Sequence, residues 1–199
     1  ATTRRGGFSK GDYASFNCTP YTGDDAESVR RNQELLCSSM PQQPKELVIP
    51  FQTHGTKVEV IDEKYLNATS DERTVMLQGV DALITKEPGC CICISTADCI
   101  PILLYDCKTQ VVAAAHAGWR GTVNYIAGHT LDRMRALYGT DGKDVIACIG
   151  PGISLPSFEV GEEVYEAFRM NGFSMDYISE WKPETHKHHI DLWAANRMQ

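Results

Sequence analysis

The stretch Val111-Val-Ala-Ala-Ala-His-Ala-Gly-Trp-Arg-Gly-Thr122 decides how this chain is laid out. Its first residues are apolar up to His116 without polar alternation, which is typical of a β-strand that is covered on both faces. Gly118 and Gly121 indicate a turn, and apolar residues at helical spacing follow from Thr122. The stretch therefore predicts a buried strand that ends at His116 and leads directly into a helix.

Short strand-like runs and amphipathic helices surround this stretch. The predicted strands cover residues 47–51, 57–62, 82–85, 91–95, 100–105 and a buried run at 144–149. Three more helices are predicted: one capped by Asp24 or Asp25, one over 160–170, and one that begins at Asp191. Because strands and helices alternate without a regular βαβ rhythm, we predict an α+β fold, a single compact domain over 1–199 with layered mixed β-sheets flanked by helices.

Composition and charge exclude several function classes. The 199 residues are 42% hydrophobic and carry a net charge of −7, which argues against a nucleic-acid or anionic-membrane partner bound by bulk electrostatics. No apolar run reaches the roughly 20 residues of a membrane span, and no secretion signal is visible. The eight cysteines lie mostly in apolar runs, so we expect free thiols in a reducing cytoplasm, in a monomer or small homo-oligomer.

Three potential metal ligands, His54, Cys99 and His116, lie where predicted strands end. Two imidazoles and one thiolate suit Zn²⁺ and leave a fourth position open for water or substrate, and copper accepts the same donors. Two other interpretations stay open at this point: buried polar residues at loop starts, or a nucleophilic Cys99 with a histidine base. A chelator separates them, because it abolishes only metal-dependent activity.

Polar residues near these ligands suggest further roles. Asp98 is either a turn residue or a proton carrier and partner of a ligand histidine. Arg120 and the free backbone N–H groups at Gly121 suggest an anion site, although an ordinary surface ion pair is equally compatible with the sequence. Arg4, in a second small basic loop, either reaches the same pocket or remains solvated.

Two cysteine- and histidine-rich segments are interpreted as structural. The histidines of 186–189 are expected in a polar surface run near a helix start. In the segment 90–93, Cys91 and Cys93 are expected to point to the same side of a strand, which suits packing.

Together, several motifs in fixed order resemble the "laccase domain" family, also called the polyphenol oxidase or multi-copper polyphenol oxidoreductase family, whose bacterial members include YfiH-like and YlmD-like purine nucleoside phosphorylases. The resemblance extends from the first residues to the last. The motifs that carry it include Thr3-Arg-Arg-Gly-Gly-Phe-Ser9, Tyr13-Ala-Ser-Phe-Asn17, Gln52-Thr-His-Gly55, Thr96-Ala-Asp-Cys-Ile-Pro101, His116-Ala-Gly-Trp-Arg-Gly121 and Asp191-Leu-Trp-Ala-Ala-Asn196.

The resemblance implies a compact α+β fold with zinc held by His54, Cys99 and His116. It also implies phosphorolysis of adenosine, inosine and methylthioadenosine, together with adenosine deamination; copper-dependent phenol oxidation has been ascribed to the family as well. Family chains usually continue beyond the helix that begins at Asp191, so we expect a C-terminal segment to be missing here.

The resulting prediction is a zinc-dependent purine nucleoside phosphorylase whose partners are a purine nucleoside and phosphate. The alternatives are a copper-dependent polyphenol oxidase, disfavoured because six histidines are few for several coppers, and a metal-stabilised binding domain without turnover. The predicted catalytic residues are His54, Asp98, Cys99 and Arg120, and the predicted substrate- or phosphate-binding residues are Arg4, Asn17, Arg120 and Gly121.

Overall fold

The structure, a computed structural model, describes residues 1–199 and contains eight α-helices and ten β-strands. The helices are α1 (Ala26–Ser38), α2 (Glu63–Asn67), α3 (Ser70–Leu77), α4 (Trp119–Val123), α5 (Ile126–Tyr138), α6 (Glu162–Met170), α7 (Met175–Ile178) and α8 (Leu192–Arg197). The strands are β1 (Glu46–Val48), β2 (Lys57–Ile61), β3 (Val80–Thr85), β4 (Cys90–Ile92), β5 (Ile100–Asp106), β6 (Val112–Ala117), β7 (Val145–Ile149), β8 (Glu159–Val160), β9 (Ser179–Lys182) and β10 (Lys187–Ile190).

A five-stranded mixed sheet, in the order β2-β3-β6-β5-β7, forms the centre of the molecule. β2 and β3 run parallel, whereas β3, β5 and β7 pair with their other neighbours in antiparallel fashion. Ala82 and Ile84 of β3 belong to the larger hydrophobic core, and Leu83 belongs to a smaller core on the other side. β3 and β6 are therefore covered on both faces, as their continuous apolar sequences predict, whereas Leu103 and Tyr105 leave one face of β5 exposed.

Two small sheets and the helices complete the layers. β1 and β4 form a parallel pair, and β8, β10 and β9 form an antiparallel sheet. Helix α5 packs on β2, β3 and β6, where the alanines of β6 leave room for Ile126 and Met134. This combination of mixed sheets with flanking helices confirms the predicted α+β class. None of the helices has both the length and the apolar composition needed to cross a membrane.

The N-terminal segment is fixed to α1 by the buried side chain of Asn32. Its amide oxygen accepts from the N–H of Phe8 at 2.8 Å, and its amide nitrogen donates to the Ser9 hydroxyl at 2.9 Å and to the carbonyl of Asn17 at 2.7 Å. Because an unpaired amide at this depth would be unfavourable, these bonds define the path of the segment. They place Thr19 and Tyr21, which follow Asn17, beside the loops that contain His54 and Cys99.

The largest departure from the predicted elements concerns β7, which was predicted to be buried. It is an edge strand that pairs only with β5, and Ile146 is 60% exposed. Apolar composition alone does not distinguish a central strand from an edge strand. That prediction was wrong.

One helix prediction and one surface prediction also need correction, and two helices were not predicted. The helix expected from Thr122 begins at Trp119 and is divided at Tyr125, whose φ of 58° places it in the left-handed region between α4 and α5. Two histidines of the segment 186–189, His188 and His189, lie in β10, where His189 is 7% exposed. Helices α2 and α3 had no counterpart in the predicted elements.

Candidate metal centre

His54 lies in a tight loop that is held by one buried carboxylate. The backbone N–H groups of Thr53, His54 and Gly55 donate to Asp81 at 3.2, 2.9 and 2.7 Å. His54 has a φ of 62°, a left-handed conformation that costs a non-glycine residue of the order of 1 kcal/mol or more. The three hydrogen bonds to Asp81 offset this strain and fix the direction of the imidazole.

The same carboxylate orients His116, at the end of β6. The Nδ1 atom of His116 lies 2.8 Å from Oδ1 of Asp81, so Nε2 is the nitrogen left free for other interactions. Burial opposes a charge on His116, but its hydrogen bonds with Asp81 and Cys99 prevail and raise its pKa to about 9. Burial likewise disfavours the Asp81 carboxylate, yet the His116 ring and the N–H groups of Gly55 and Thr53 keep its pKa below the usual value.

Cys99, immediately before β5, completes a cluster with the two histidines. One ligand atom from each of His54, Cys99 and His116 lies within 4.8 Å of the others, and the two imidazole rings stand 4.9 Å apart at 70°. A Cβ on Gly118 would lie 2.9 Å from Sγ of Cys99 and 3.0 Å from Cδ2 of His54. The approach of α4 to the ligands therefore requires glycine at this position.

The donor set suits a transition metal. Two imidazole nitrogens and one thiolate are common in zinc and copper sites, and here they leave one side open. Burial, together with the charges of His116 and Arg120, lowers the pKa of His54, which favours the neutral form that ligates metals. The raised pKa of His116 favours its protonated form, so metal binding must displace a proton from this ring.

The cluster opens into a cleft of about 450 Å³, a volume typical of sites for small molecules. Tyr21 and Phe51 form one wall, with ring centroids 5.2 Å apart in an edge-to-face arrangement. Gln52 and Ser95, which also line the cleft, are joined by two hydrogen bonds. The Gln52 side-chain amide donates to the Ser95 carbonyl at 2.8 Å, and the Ser95 N–H donates to the Gln52 side-chain oxygen at 2.7 Å. The cleft thus combines candidate metal ligands with an aromatic wall.

Two of the predicted polar residues lie beside the ligands. Asp98 lines the cleft, and its exposed carboxylate forms no hydrogen bond with the protein. The Arg120 guanidinium is exposed, stacks 4.3 Å from the ring centroid of Trp119, and contributes to the lowered pKa of His54. The structure therefore supplies a free acid and a free cation near the cluster.

The remaining predicted residues have other contacts. The Arg4 side chain is exposed, while its carbonyl accepts from the N–H groups of Ser15 and Phe16. The side-chain amide of Asn17 donates to the Thr22 hydroxyl and to the Asp24 carboxylate, and these bonds shape the loop that carries Tyr21.

Gly121 is buried in α4. A Cβ there would lie 3.3 Å from the carbonyl of Gly55, so this glycine permits close packing of α4 on the His54 loop. Its burial does not support the predicted role of a solvent-facing amide that contacts phosphate.

Sequence reasoning missed Asp81, Gly118 and Tyr21. The signal for Asp81 was available, because a carboxylate within the apolar run 80–85 must find partners when the strand is buried. Gly118 lies in the stretch 111–122, but its role in the close approach of α4 depends on contacts with the distant His54 and Cys99 loops. Tyr21 carried no distinguishing pattern.

Comparisons with known proteins found a family and several similar proteins. A family model described as multi-copper polyphenol oxidoreductase laccase matches residues 1–199. A purine nucleoside phosphorylase of Bacteroides thetaiotaomicron is 67% identical over 198 residues, which are 100% of this chain and 73% of the relative. Adenosine deaminase RL5, from an unknown prokaryotic organism, is 42% identical over 99% of this chain and 75% of its own length. The crystal structure of YlmD from Geobacillus stearothermophilus superposes with a TM-score of 0.88 at 29% identity, covering 100% of this chain and 73% of that one.

Proposed function

The chain belongs to the multi-copper polyphenol oxidoreductase laccase family, and we propose that it is a zinc-dependent purine nucleoside phosphorylase that also deaminates adenosine. The observation that carries the proposal is the His54, Cys99 and His116 cluster at the floor of a cleft with an aromatic wall. The names of the relatives from Bacteroides thetaiotaomicron and the unknown prokaryote support both activities. Adenosine, inosine and methylthioadenosine are the proposed substrates.

In the proposed arrangement, the purine base lies against Tyr21 and Phe51, and phosphate is held by Arg120. Aromatic side chains provide a flat apolar surface for the base, and a guanidinium can hold two phosphate oxygens at once. In phosphorolysis, a phosphate oxygen forms a bond to the anomeric carbon while the bond from that carbon to the base nitrogen breaks. The base departs with the electron pair and then requires a proton.

Asp98 is the proposed proton carrier, because its carboxylate faces the cleft without a hydrogen-bond partner in the protein. Bound zinc would supply Lewis acidity and a water molecule of lowered pKa, which suits deamination. Asn17 is proposed to act indirectly through the loop that carries Tyr21, and Gly121 through the packing of α4. Arg4 is proposed to be an additional cation near the phosphate.

The test is phosphate-dependent release of hypoxanthine from inosine by the metal-loaded protein. Cys99→Ala removes a ligand and is expected to reduce the rate at least about 1000-fold, which corresponds to roughly 4 kcal/mol of transition-state stabilisation. Cys107→Ala is the matched control, since that thiol is exposed and lies outside the cleft. Wild-type activity in Cys99→Ala, or chelator-resistant activity blocked by a thiol reagent, would contradict the proposal.

Copper-dependent phenol oxidation is the second candidate, and the description of the family favours it. The structure contains one group of three or more metal-ligating side chains with donors within 4.8 Å, which is few for a multi-copper centre. Reconstitution with zinc or copper, followed by nucleoside and phenol assays, separates the two. Metal-dependent folding without turnover in either assay would instead indicate a binding domain.

A further inference from the structure

Gln52 lines the cleft, yet its side chain binds the protein backbone. The amide nitrogen donates to the carbonyl of Ser95 at 2.8 Å, and the amide oxygen accepts from the N–H of Ser95 at 2.7 Å. Two paired residues of an antiparallel sheet exchange the same two bonds, because a glutamine amide has the donor and the acceptor of a peptide group. Gln52 therefore joins two loops, 43 positions apart in the sequence, in the way that a paired strand residue would.

The segment on the Gln52 side is fixed independently of this pair. The N–H of Phe51 donates to the carbonyl of Leu77 at 3.1 Å, and the N–H of Thr53 donates to the buried Asp81 carboxylate at 3.2 Å. Because Gln52 lies between these two anchors, its own backbone is held in place. The Gln52 side chain can therefore hold a neighbouring loop against a fixed segment.

The loop on the other side, residues 94–97, depends on Gln52. At its ends, the N–H of Cys93 and the carbonyl of Asp98 each form one backbone hydrogen bond, of 2.9 and 2.8 Å. Between these points, the two bonds with Gln52 are the only hydrogen bonds that the backbone of the loop makes with the protein. Without the Gln52 amide, the middle of the loop would have no hydrogen bond to the fold.

The proposed proton carrier, Asp98, follows this loop directly. Its carboxylate has no hydrogen-bond partner in the protein, so its place in the cleft follows the backbone of the loop. Cys99, by contrast, leads directly into β5 and packs closely against Gly118. Loss of the Gln52 bonds should therefore displace the carboxylate much more than the thiol.

We propose that Gln52 is a positioning residue, which holds the loop 94–97 through its two bonds with Ser95 and thereby keeps the Asp98 carboxylate in place in the cleft. This role rests on the proposed function, because it requires Asp98 to deliver a proton to the departing base. A proton donor must lie within about 2.6–3.2 Å of the atom that it serves, and a misplacement of about 1 Å can reduce a rate about 100-fold. Gln52 thus affects kcat without touching the reacting atoms.

The first test is phosphorolysis of inosine by zinc-loaded Gln52→Met, which keeps the length of the side chain but removes both hydrogen bonds. We expect kcat to fall about 10- to 100-fold and the KM for inosine to change less than about threefold. The zinc content should stay at the wild-type value. Gln43→Met, at an exposed position before β1, is the matched control and should keep the wild-type kcat.

Three results for Gln52→Met would overturn the positioning role. The first is a kcat within about threefold of the wild-type value. The second is a rise in the KM for inosine alone, which would indicate a direct contact of Gln52 with the nucleoside. The third is a loss of zinc, which would indicate that Gln52 supports the metal centre instead.

The second test is a double-mutant cycle with Asp98, the residue through which Gln52 acts. In an Asp98→Asn background, Gln52→Met should lower kcat by less than about threefold, because the displaced group no longer transfers a proton. An equal loss in both backgrounds would assign a general structural role to Gln52. Wild-type kcat in Asp98→Asn would reject the proton carrier of the proposed function. A low kcat in Asp98→Asn together with wild-type kcat in Gln52→Met would reject the positioning role alone.

The third test measures the loop without turnover, by amide hydrogen exchange followed with NMR. In Gln52→Met the Ser95 amide should exchange at least about tenfold faster than in the wild type, and the Cys93 amide, which donates to Val48, should keep its rate. Equal protection of Ser95 in both proteins would reject the role of Gln52 in holding the loop. A wild-type protein without phosphorolysis would reject the proposed function, and the exchange at Ser95 would still show whether Gln52 fixes the loop.

Discussion

The two halves of the proposed site are constructed differently. In the metal half, the fully buried Asp81 binds both the His54 loop and the His116 ring, so two ligands from distant parts of the chain are held by one carboxylate. In the proposed anion half, Arg120 lies near His54 but does not line the cleft; it is exposed and rests on Trp119 without an ion pair. The fold therefore holds the candidate ligands in position, whereas the proposed cation remains available for a substrate.

This difference predicts where substitutions act. Changes in the metal half should alter metal affinity and stability as well as turnover. Changes in the anion half should alter the KM for phosphate and leave the fold and the metal content intact. A variant in the metal half that changes only the KM for phosphate would contradict this division. So would a variant in the anion half that changes metal content or stability.

The largest effect is expected for His116→Ala. It removes a ligand and leaves the Asp81 carboxylate without its buried imidazole partner, which should reduce the free energy of unfolding of the metal-free protein by on the order of 3 kcal/mol. Chemical denaturation and metal analysis provide the two measurements. His189→Ala is the matched control, because His189 is also buried but bonds to the carbonyl of Leu155, outside the cleft, and should keep its metal.

Asp81→Asn should have the next largest effect. An amide of nearly the same shape retains one acceptor oxygen, but its NH₂ group faces the backbone N–H donors that the carboxylate accepted. We expect metal affinity to fall about 10- to 100-fold, as is typical when a partner of a ligand histidine is changed. Competition with a chromophoric chelator measures this. Unchanged affinity would show that Asp81 serves folding alone.

For Asp81→Asn, cobalt substitution supplies a second measurement independent of turnover. If Asp81 fixes the directions of both imidazoles, the visible spectrum of the cobalt protein should change between wild type and variant. An identical spectrum at saturating cobalt, with reduced stability, would assign a purely structural role to this residue.

Arg120→Ala should raise the KM for phosphate by about 10- to 100-fold, since a hydrogen-bonded charge contributes roughly 1.5–3 kcal/mol. The metal content should stay at the wild-type value. Arg120→Lys should recover part of the affinity, because it keeps the charge but not the planar fork. Arg133→Ala, on the exposed side of α5, is the control. A loss of metal in Arg120→Ala would show that the anion half also contributes to metal binding and would contradict the separation of the two halves.

The sequence predicted the two halves unequally, and the reason is physical. His54, Cys99 and His116 were predictable because each lies where an apolar run ends, and strand ends converge. Asp81 was missed although a carboxylate in the apolar run 80–85 signals a need for buried partners. Which partners it finds depends on the left-handed backbone at His54, which no local pattern reveals. The fold class followed from the order of apolar runs, but the exposure of β7 depends on which strands become neighbours.

The smallest effect is expected for Arg4→Ala, which tests whether the proposed anion half includes the N-terminal segment. Arg4 is exposed, and its structural contribution is made by its backbone carbonyl, which alanine retains. A cation that reaches phosphate only through solvent is screened over about 8–10 Å at physiological ionic strength, so the KM for phosphate should rise no more than about threefold. The rise should disappear at high salt, whereas that of Arg120→Ala should persist. A salt-resistant effect as large as that of Arg120→Ala would instead place Arg4 in direct contact with phosphate and extend the anion half to the N-terminal segment.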